Sequence, residues 1–417
     1  MNTMKEKISR SDFISLIISI LIPGIITSLV DFDVSMFGAY AVVGSLFGIR
    51  SIGIVFIVFF INHFINGIMG RIVIVSNRGP VELIRQYFGI KTSLWIFFVV
   101  LLLNFFSVIQ IFAVIRIVSK LLDINFLLVV FCLLLYLTLI LFFKIPKKFG
   151  YIIWCVGLFY VVIIAHASAH MKEVTASLSS WNALLAPFRT GNGLLYTFGL
   201  LGATVTAWSQ MLISRYTYRD KINLDKLEYH VMENRTISVL SFLFAVVFVS
   251  VMGYLFSNGS LLDSHVVNLA KLTILFHSRF GEIFVSLGLF FLALTSFMAI
   301  VLSTSHTCIE LFGKEQFNEE TTLFSKTNGI FLAIFAIPAF IISLIVKVDF
   351  FESALLFGVA QSVFLIIEMR FLYILANDVS LMGRYKNDRI HNGALIIISA
   401  AVFLTIIRVA VQMIIHI

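Results

Sequence analysis

Residues 23–36 read Pro23-Gly24-Ile25-Ile26-Thr27-Ser28-Leu29-Val30-Asp31-Phe32-Asp33-Val34-Ser35-Met36. Two acids thus sit within a segment, 12–48, that is otherwise almost uncharged and too long for one straight crossing of a bilayer. A helix needs about 20 residues to span roughly 30 Å of hydrocarbon. An ionised carboxylate in that medium costs several kcal/mol, so Asp31 and Asp33 need a proton, a cation or hydrogen-bond donors. The Pro-Gly pair followed by acids marks a helix that breaks inside the membrane. Such breaks expose backbone carbonyls to a cation. The plainer alternative is that both acids make hydrogen bonds that only stabilise a kink.

Working outward, the rest of the chain has the same character. Of 417 residues, 60% are apolar and 12% charged, with a mean hydropathy of +1.04. A soluble chain of this length needs far more charge to cover its surface. Stretches of spanning length recur at 12–48, 50–75, 93–118, 121–143, 150–168, 192–214, 237–257, 281–304, 328–347, 352–377 and 392–415. They predict an all-α integral membrane protein with about eleven transmembrane helices. The longer polar connections, 76–92, 169–191, 215–236, 258–280 and 305–327, are too short for a soluble domain, so residues 1–417 read as one polytopic transport domain.

Most of the 30 Lys and Arg fall on one side if the N-terminus is cytoplasmic and the C-terminus extracytoplasmic, as the positive-inside rule requires. A bacterial plasma membrane is expected. The net charge of +8 then reflects topology and attraction to anionic membrane lipids, not nucleic acid. No obligate protein partner is inferred. Cys132, Cys155 and Cys308 have neither disulfide nor metal spacing and are expected to be small buried hydrophobes. The chain carries no nucleophile elbow, zinc-protease motif or Walker sequence, so neither an enzyme nor a bound cofactor is expected.

A second interruption lies in the sixth span, where Gly199-Leu200-Leu201-Gly202-Ala203-Thr204-Val205 runs into Thr206-Ala207-Trp208-Ser209-Gln210. Breaks in the first and sixth spans are five helices apart. That is the separation of a 5+5 inverted repeat, with halves near 12–168 and 192–347 and further helices at 352–377 and 392–415.

The spacing of Pro23-Gly24, Asp33, Gly44 and Gly48 resembles the natural-resistance-associated macrophage protein family of divalent-metal transporters, whose fold is leucine-transporter-like. Arg71-Ile72-Val73-Ile74-Val75-Ser76-Asn77-Arg78-Gly79-Pro80-Val81-Glu82, the run Gly199 to Val205, and Gln361 with Leu381-Met382-Gly383-Arg384-Tyr385-Lys386-Asn387 are similar to other marks of the family. Met36 stands at the family's asparagine position, and Thr206-Ala207-Trp208 replaces its Met-Pro-His. Thr206, Trp208 and Gln210 resemble the helix 6 pattern of a divergent magnesium-transporting branch, and Asp31 with Asp33 its doubled acids.

The resemblance implies secondary transport of divalent cations, magnesium or manganese, by alternating access. The implied contacts are the Asp33 carboxylate, carbonyls near Val30 and Ala203, the Thr206 hydroxyl and the Gln361 amide, with Asp31, Met36 and Gln210 as neighbours. Losing a thioether at position 206 suits hard, hydrated ions, although Met36 can return one or can simply pack. The family's histidine is Trp208 and its helix 3 acid is Ser107, which favours passage uncoupled from protons; His63 and His306 are alternative proton groups. Two other readings remain open: a sodium-coupled organic-solute transporter of the same fold, and a metal-binding membrane receptor that does not transport.

Overall fold

Backbone groups in hydrocarbon have no water to bond, so apolar stretches close their own hydrogen bonds as helices. The computed structural model describes residues 32–143, 155–163, 165, 186–189, 193–211, 227–256, 279–313 and 322–415. Within them the main elements are α1 (Val34–Phe47), α2 (Ile52–Ser76), α3 (Pro80–Leu121), α4 (Phe126–Phe143), α5 (Gly193–Thr204), α6 (Leu227–Leu255), α7 (Arg279–Leu311), α8 (Thr322–Ile345), α9 (Phe350–Asn377) and α10 (Arg389–Ile415). Shorter helical pieces include 155–163 and 207–211. The 3-10 turn Gly48–Ser51 runs α1 directly into α2. Among the described residues, seven helical units are long and apolar enough to cross a membrane, and Phe126–Phe142 is a shorter apolar helix. The chain is an all-α protein that spans the membrane several times. Val30 and Asp31 lie outside the described residues.

The segment 76–92, expected as a polar connection, is mostly helix instead. Gly79 precedes α3 and Pro80 opens it, a position where the missing amide costs nothing and the fixed φ favours a helix. Glu82 accepts from Gln86 Nε2 at 2.9 Å and pairs with Arg78 at 3.5 Å, which stabilises the polar first turns. The helix bends at Gly89, where φ is 81°, a conformation that favours glycine. The cysteine expectation also needs correction: Cys132 and Cys155 are exposed and Cys308 is half-buried. On a membrane helix an outward apolar face meets hydrocarbon, so hydrophobicity does not imply burial against protein.

α1 lies at the centre. Every residue from Val34 to Ser45 is buried, and α5, α6 and α9 pack around it. Phe32, just before it, is enclosed by Tyr40, Tyr160, Phe244 and Phe248, with ring centroids 4.8–5.5 Å away. Where α5 crosses α9, backbone meets backbone. A Cβ on Gly202 would overlap the Gly358 carbonyl, and one on Gly358 would overlap the Gly199 carbonyl. Small residues at such crossings let membrane helices approach closely. This crossing holds the end of α5 against the middle of α9.

Candidate functional site

Phe32 and Asp33 are not helical, and Asp33 is the residue at which α1 starts. It is 3% exposed, and its Oδ1 accepts from the Met36 amide at 2.8 Å, so it caps one of the amides a helix start leaves without a partner. Neighbouring helices hold the backbone on both sides. Tyr160 donates its hydroxyl to the Phe32 carbonyl at 3.0 Å, and the Val34 amide donates to Ser296 Oγ on α7 at 3.1 Å. A carboxylate has about four acceptor positions, and the capping bond uses one of them.

The interruption in the sixth span has a parallel construction. α5 stops at Thr204, Val205 and Thr206 are non-helical, and 207–211 resumes. Thr206 caps the new segment: its Oγ1 accepts from the Ser209 amide at 3.3 Å, and its carbonyl accepts from Ser209 Oγ at 3.0 Å. Because α5 has ended, carbonyls of its last turn, Ala203 among them, have no amide one turn further along the same helix. Tyr40 on α1 and Thr204 share a hydroxyl–hydroxyl bond of 2.9 Å.

Two helices tie the breaks together. On α7, Ser296 receives the Val34 amide, while Ser303 donates to the Trp208 carbonyl at 2.8 Å. Residues seven apart lie on one helix face about 10 Å apart along the axis, so the start of α1 and the start of 207–211 are pinned to the same face of α7. On α3, Asn104, Ser107 and Gln110 form a polar row. Asn104 Nδ2 donates to Thr304 Oγ1 at 2.9 Å. Ser107 Oγ accepts from Gln361 Nε2 at 3.2 Å. Gln110 accepts from Ser35 Oγ at 2.6 Å and donates to the Ser353 carbonyl at 3.1 Å. The row brings the α1 break and Gln361 of α9 onto adjoining turns of α3.

The predicted residues divide accordingly. Gln361 is buried, and its Oε1 accepts no hydrogen bond among the described residues, so an oxygen acceptor stands ready beside Ser107. Gln210 is buried one turn into 207–211, its amide on the Thr206 carbonyl at 3.2 Å. The Met36 side chain is buried in the main apolar cluster. His63 bonds Ser238 at 2.9 Å, and His306 packs on the Phe324 ring at 4.7 Å. Arg116 reaches the Ser343 carbonyl, and Arg408 is exposed. Reading the residues missed Gln110, Tyr160, Ser296 and Ser303. Their signal was present as polar residues at helical spacing in apolar spans.

Among the described residues no three His, Cys, Asp or Glu gather as a metal cluster. A cation at these breaks would meet one carboxylate supplemented by neutral oxygens, a set that suits hard ions retaining some water. The starts of α1 and 207–211 present positive dipole ends of about half a charge each at most. The full charge of Asp33 offsets them, and the C-terminal end of α5 adds negative potential.

Comparison with known proteins bears on the fold and the family. Structures of the manganese transporter of Eremococcus coleocola, as point mutants and in complex with an aromatic bis-isothiourea substituted compound, are similar to this chain. Each is 16% identical and covers 97% of this chain and 88% of the other, with TM-scores of 0.70 for the mutants and 0.69 for the complex. At that identity the likeness concerns the fold. None of the curated proteins compared matches the sequence. Residues 24–414 match the natural resistance-associated macrophage protein-like family. With nearly the whole chain matched, this integral membrane protein belongs to the natural resistance-associated macrophage protein family of divalent-metal transporters.

Proposed function

We propose that, within the family's secondary transport of divalent metal cations, this chain carries magnesium or manganese by alternating access through a site at the two helix breaks. The observation that carries this reading is Asp33: a buried carboxylate at the start of α1, braced from α7 and Tyr160. Around the ion we place the Asp33 carboxylate, carbonyls near Val30 and Ala203, the Thr206 hydroxyl and the Gln361 Oε1. Asp31, Met36 and Gln210 are neighbours. The two halves 12–168 and 192–347 are read as an inverted repeat, and the N-terminus as cytoplasmic in a bacterial plasma membrane. The divergent magnesium-transporting branch is the nearer likeness because Thr206 supplies a hard oxygen where the family has a thioether.

Reconstituted proteoliposomes test the reading. Divalent-cation flux is expected without any organic co-substrate; flux only of a sodium-coupled solute, or saturable binding without flux, would replace it with one of the two alternatives.

Ion choice gives a second test. Thr206→Met is expected to raise cadmium flux relative to magnesium, because thioether sulfur is soft and its bulk disfavours a hydrated ion. The same change removes the cap on the Ser209 amide, at about 1 kcal/mol. Thr206→Ala loses the cap without adding sulfur and so separates the two effects. The measurement is competitive flux at matched membrane potential. An unchanged cadmium-to-magnesium ratio in folded Thr206→Met protein rejects the placement of Thr206 beside the ion.

A further inference from the structure

Glu368 lies seven residues beyond Gln361 on α9. That spacing returns to the same helix face about 10 Å along the axis, toward the end where α2 finishes and α3 begins. The side chain is 6% exposed, and its Oε1 has no hydrogen-bond partner among the described residues. It lines a cavity of about 20 Å³, room for about one water. The walls are apolar apart from Glu368. They include Met211, five residues after Thr206, and Phe364, three after Gln361, with Met69 and Ile72 of α2 and Pro80 of α3. The cavity thus lies further along α9 and 207–211 than Gln361 and Thr206.

Charged groups on the surrounding helices are engaged elsewhere. Arg71 of α2 donates to Asn387, and Glu82 of α3 pairs with Arg78. Arg85 donates to the carbonyls of Glu310 and Leu311 at 3.1 and 3.2 Å. Arg370 of α9 is exposed, and His391 of α10 bonds Asp388 at 2.6 Å. Among the described residues none of these lines the cavity. A single water would find one polar wall group where a stable buried water needs two to four. Among the described residues an ionised carboxylate there would have neither counter-ion nor donors, a state that costs several kcal/mol in this medium.

We propose that Glu368 is a relay site for the transported divalent cation, one step beyond the Asp33 site. In the closed arrangement the acid keeps its proton and the cavity is dry. When this end opens and water enters, the O–H bond breaks, the proton passes to water, and the carboxylate holds the passing cation before release. The thioethers of Met69 and Met211 are the other donors in the wall, so a softer ion dwells there longer than magnesium. This inference rests on the transport reading above.

The test compares maximal manganese flux of wild-type and Glu368→Gln proteoliposomes across pH, with manganese affinity measured in detergent. Gln is a permanently uncharged stand-in for the protonated acid. The flux ratio of wild type to variant is expected to be about tenfold in alkaline buffer and to approach unity in mild acid, with affinity unchanged. A ratio that does not vary with pH, or variant flux equal to wild type throughout, overturns the relay. Should Glu368→Gln fail to fold, Glu368→Asp carries the test: it should keep the pH-dependent flux, and a pH-flat profile overturns the proposal. Absence of wild-type cation flux would instead defeat the transport reading itself.

Discussion

Asp33→Asn is expected to lower divalent-cation flux about a hundredfold, equivalent to roughly 2.8 kcal/mol at tenfold per 1.4 kcal/mol, in protein that remains folded. Asn caps helices as well as Asp does, so its side-chain oxygen can still accept from the Met36 amide. The Val34–Ser296 and Tyr160–Phe32 bonds do not involve the side chain at all. The charge is lost, and with it the carboxylate we propose at the ion. Asp33→Ala removes charge and cap together, so its further loss of stability, about 1 kcal/mol, measures the capping role separately. Flux at wild-type level from folded Asp33→Asn protein would show that the carboxylate only shapes the helix start. Asp31→Asn is expected to be milder, because in our reading Asp31 neighbours the ion without holding it.

The second large effect concerns folding. Gly202→Ala is expected to destabilise the protein by about 3 kcal/mol, at the upper end of ordinary overpacking, because the new methyl group meets backbone on two residues of α9. The Gly358 carbonyl and the Ser362 amide both lie within overlap of its position, and neither can turn aside as a flexible side chain would. Gly393→Ala on α10 is the matched control. Its Cβ would meet nothing within 4 Å, and alanine's better helix propensity predicts a gain of up to about 1 kcal/mol. Thermal unfolding of both variants in one detergent checks the pair; equal shifts would mean that the α5–α9 crossing tolerates separation.

Asp33 was legible in the sequence because a charge among apolar residues is costly and therefore rare. The break at Thr206 was legible from the glycines and polar residues interrupting a span. Gln110, Ser296 and Ser303 were not, because uncharged polar residues are common in membrane helices and their partners lie at sequence separations of 75, 262 and 95 residues. Only the fold brings such pairs together. Glu368 and Arg370 are two residues apart, a spacing that helix geometry sends to different faces: Glu368 is buried and Arg370 exposed. The helical start at Pro80 was obscured by its charges, since the polar stretch Arg78 to Gln86 resembles a connection until its i,i+4 pairs are drawn. The exposed cysteines show the converse: composition identifies a membrane helix but not which of its faces meets lipid.

In our reading one divalent cation binds between the start of α1 and the interruption at 205–206, with Asp33 as its charged ligand. Anomalous scattering from crystals grown with manganese addresses it directly. One strong peak is expected at bonding distance, about 2.0–2.6 Å as for hard cations on oxygen, from an Asp33 oxygen, lying between the start of α1 and residues 203–206 and lost in Asp33→Asn crystals. A strong peak elsewhere with none at Asp33, or one that persists unchanged in Asp33→Asn, would contradict it.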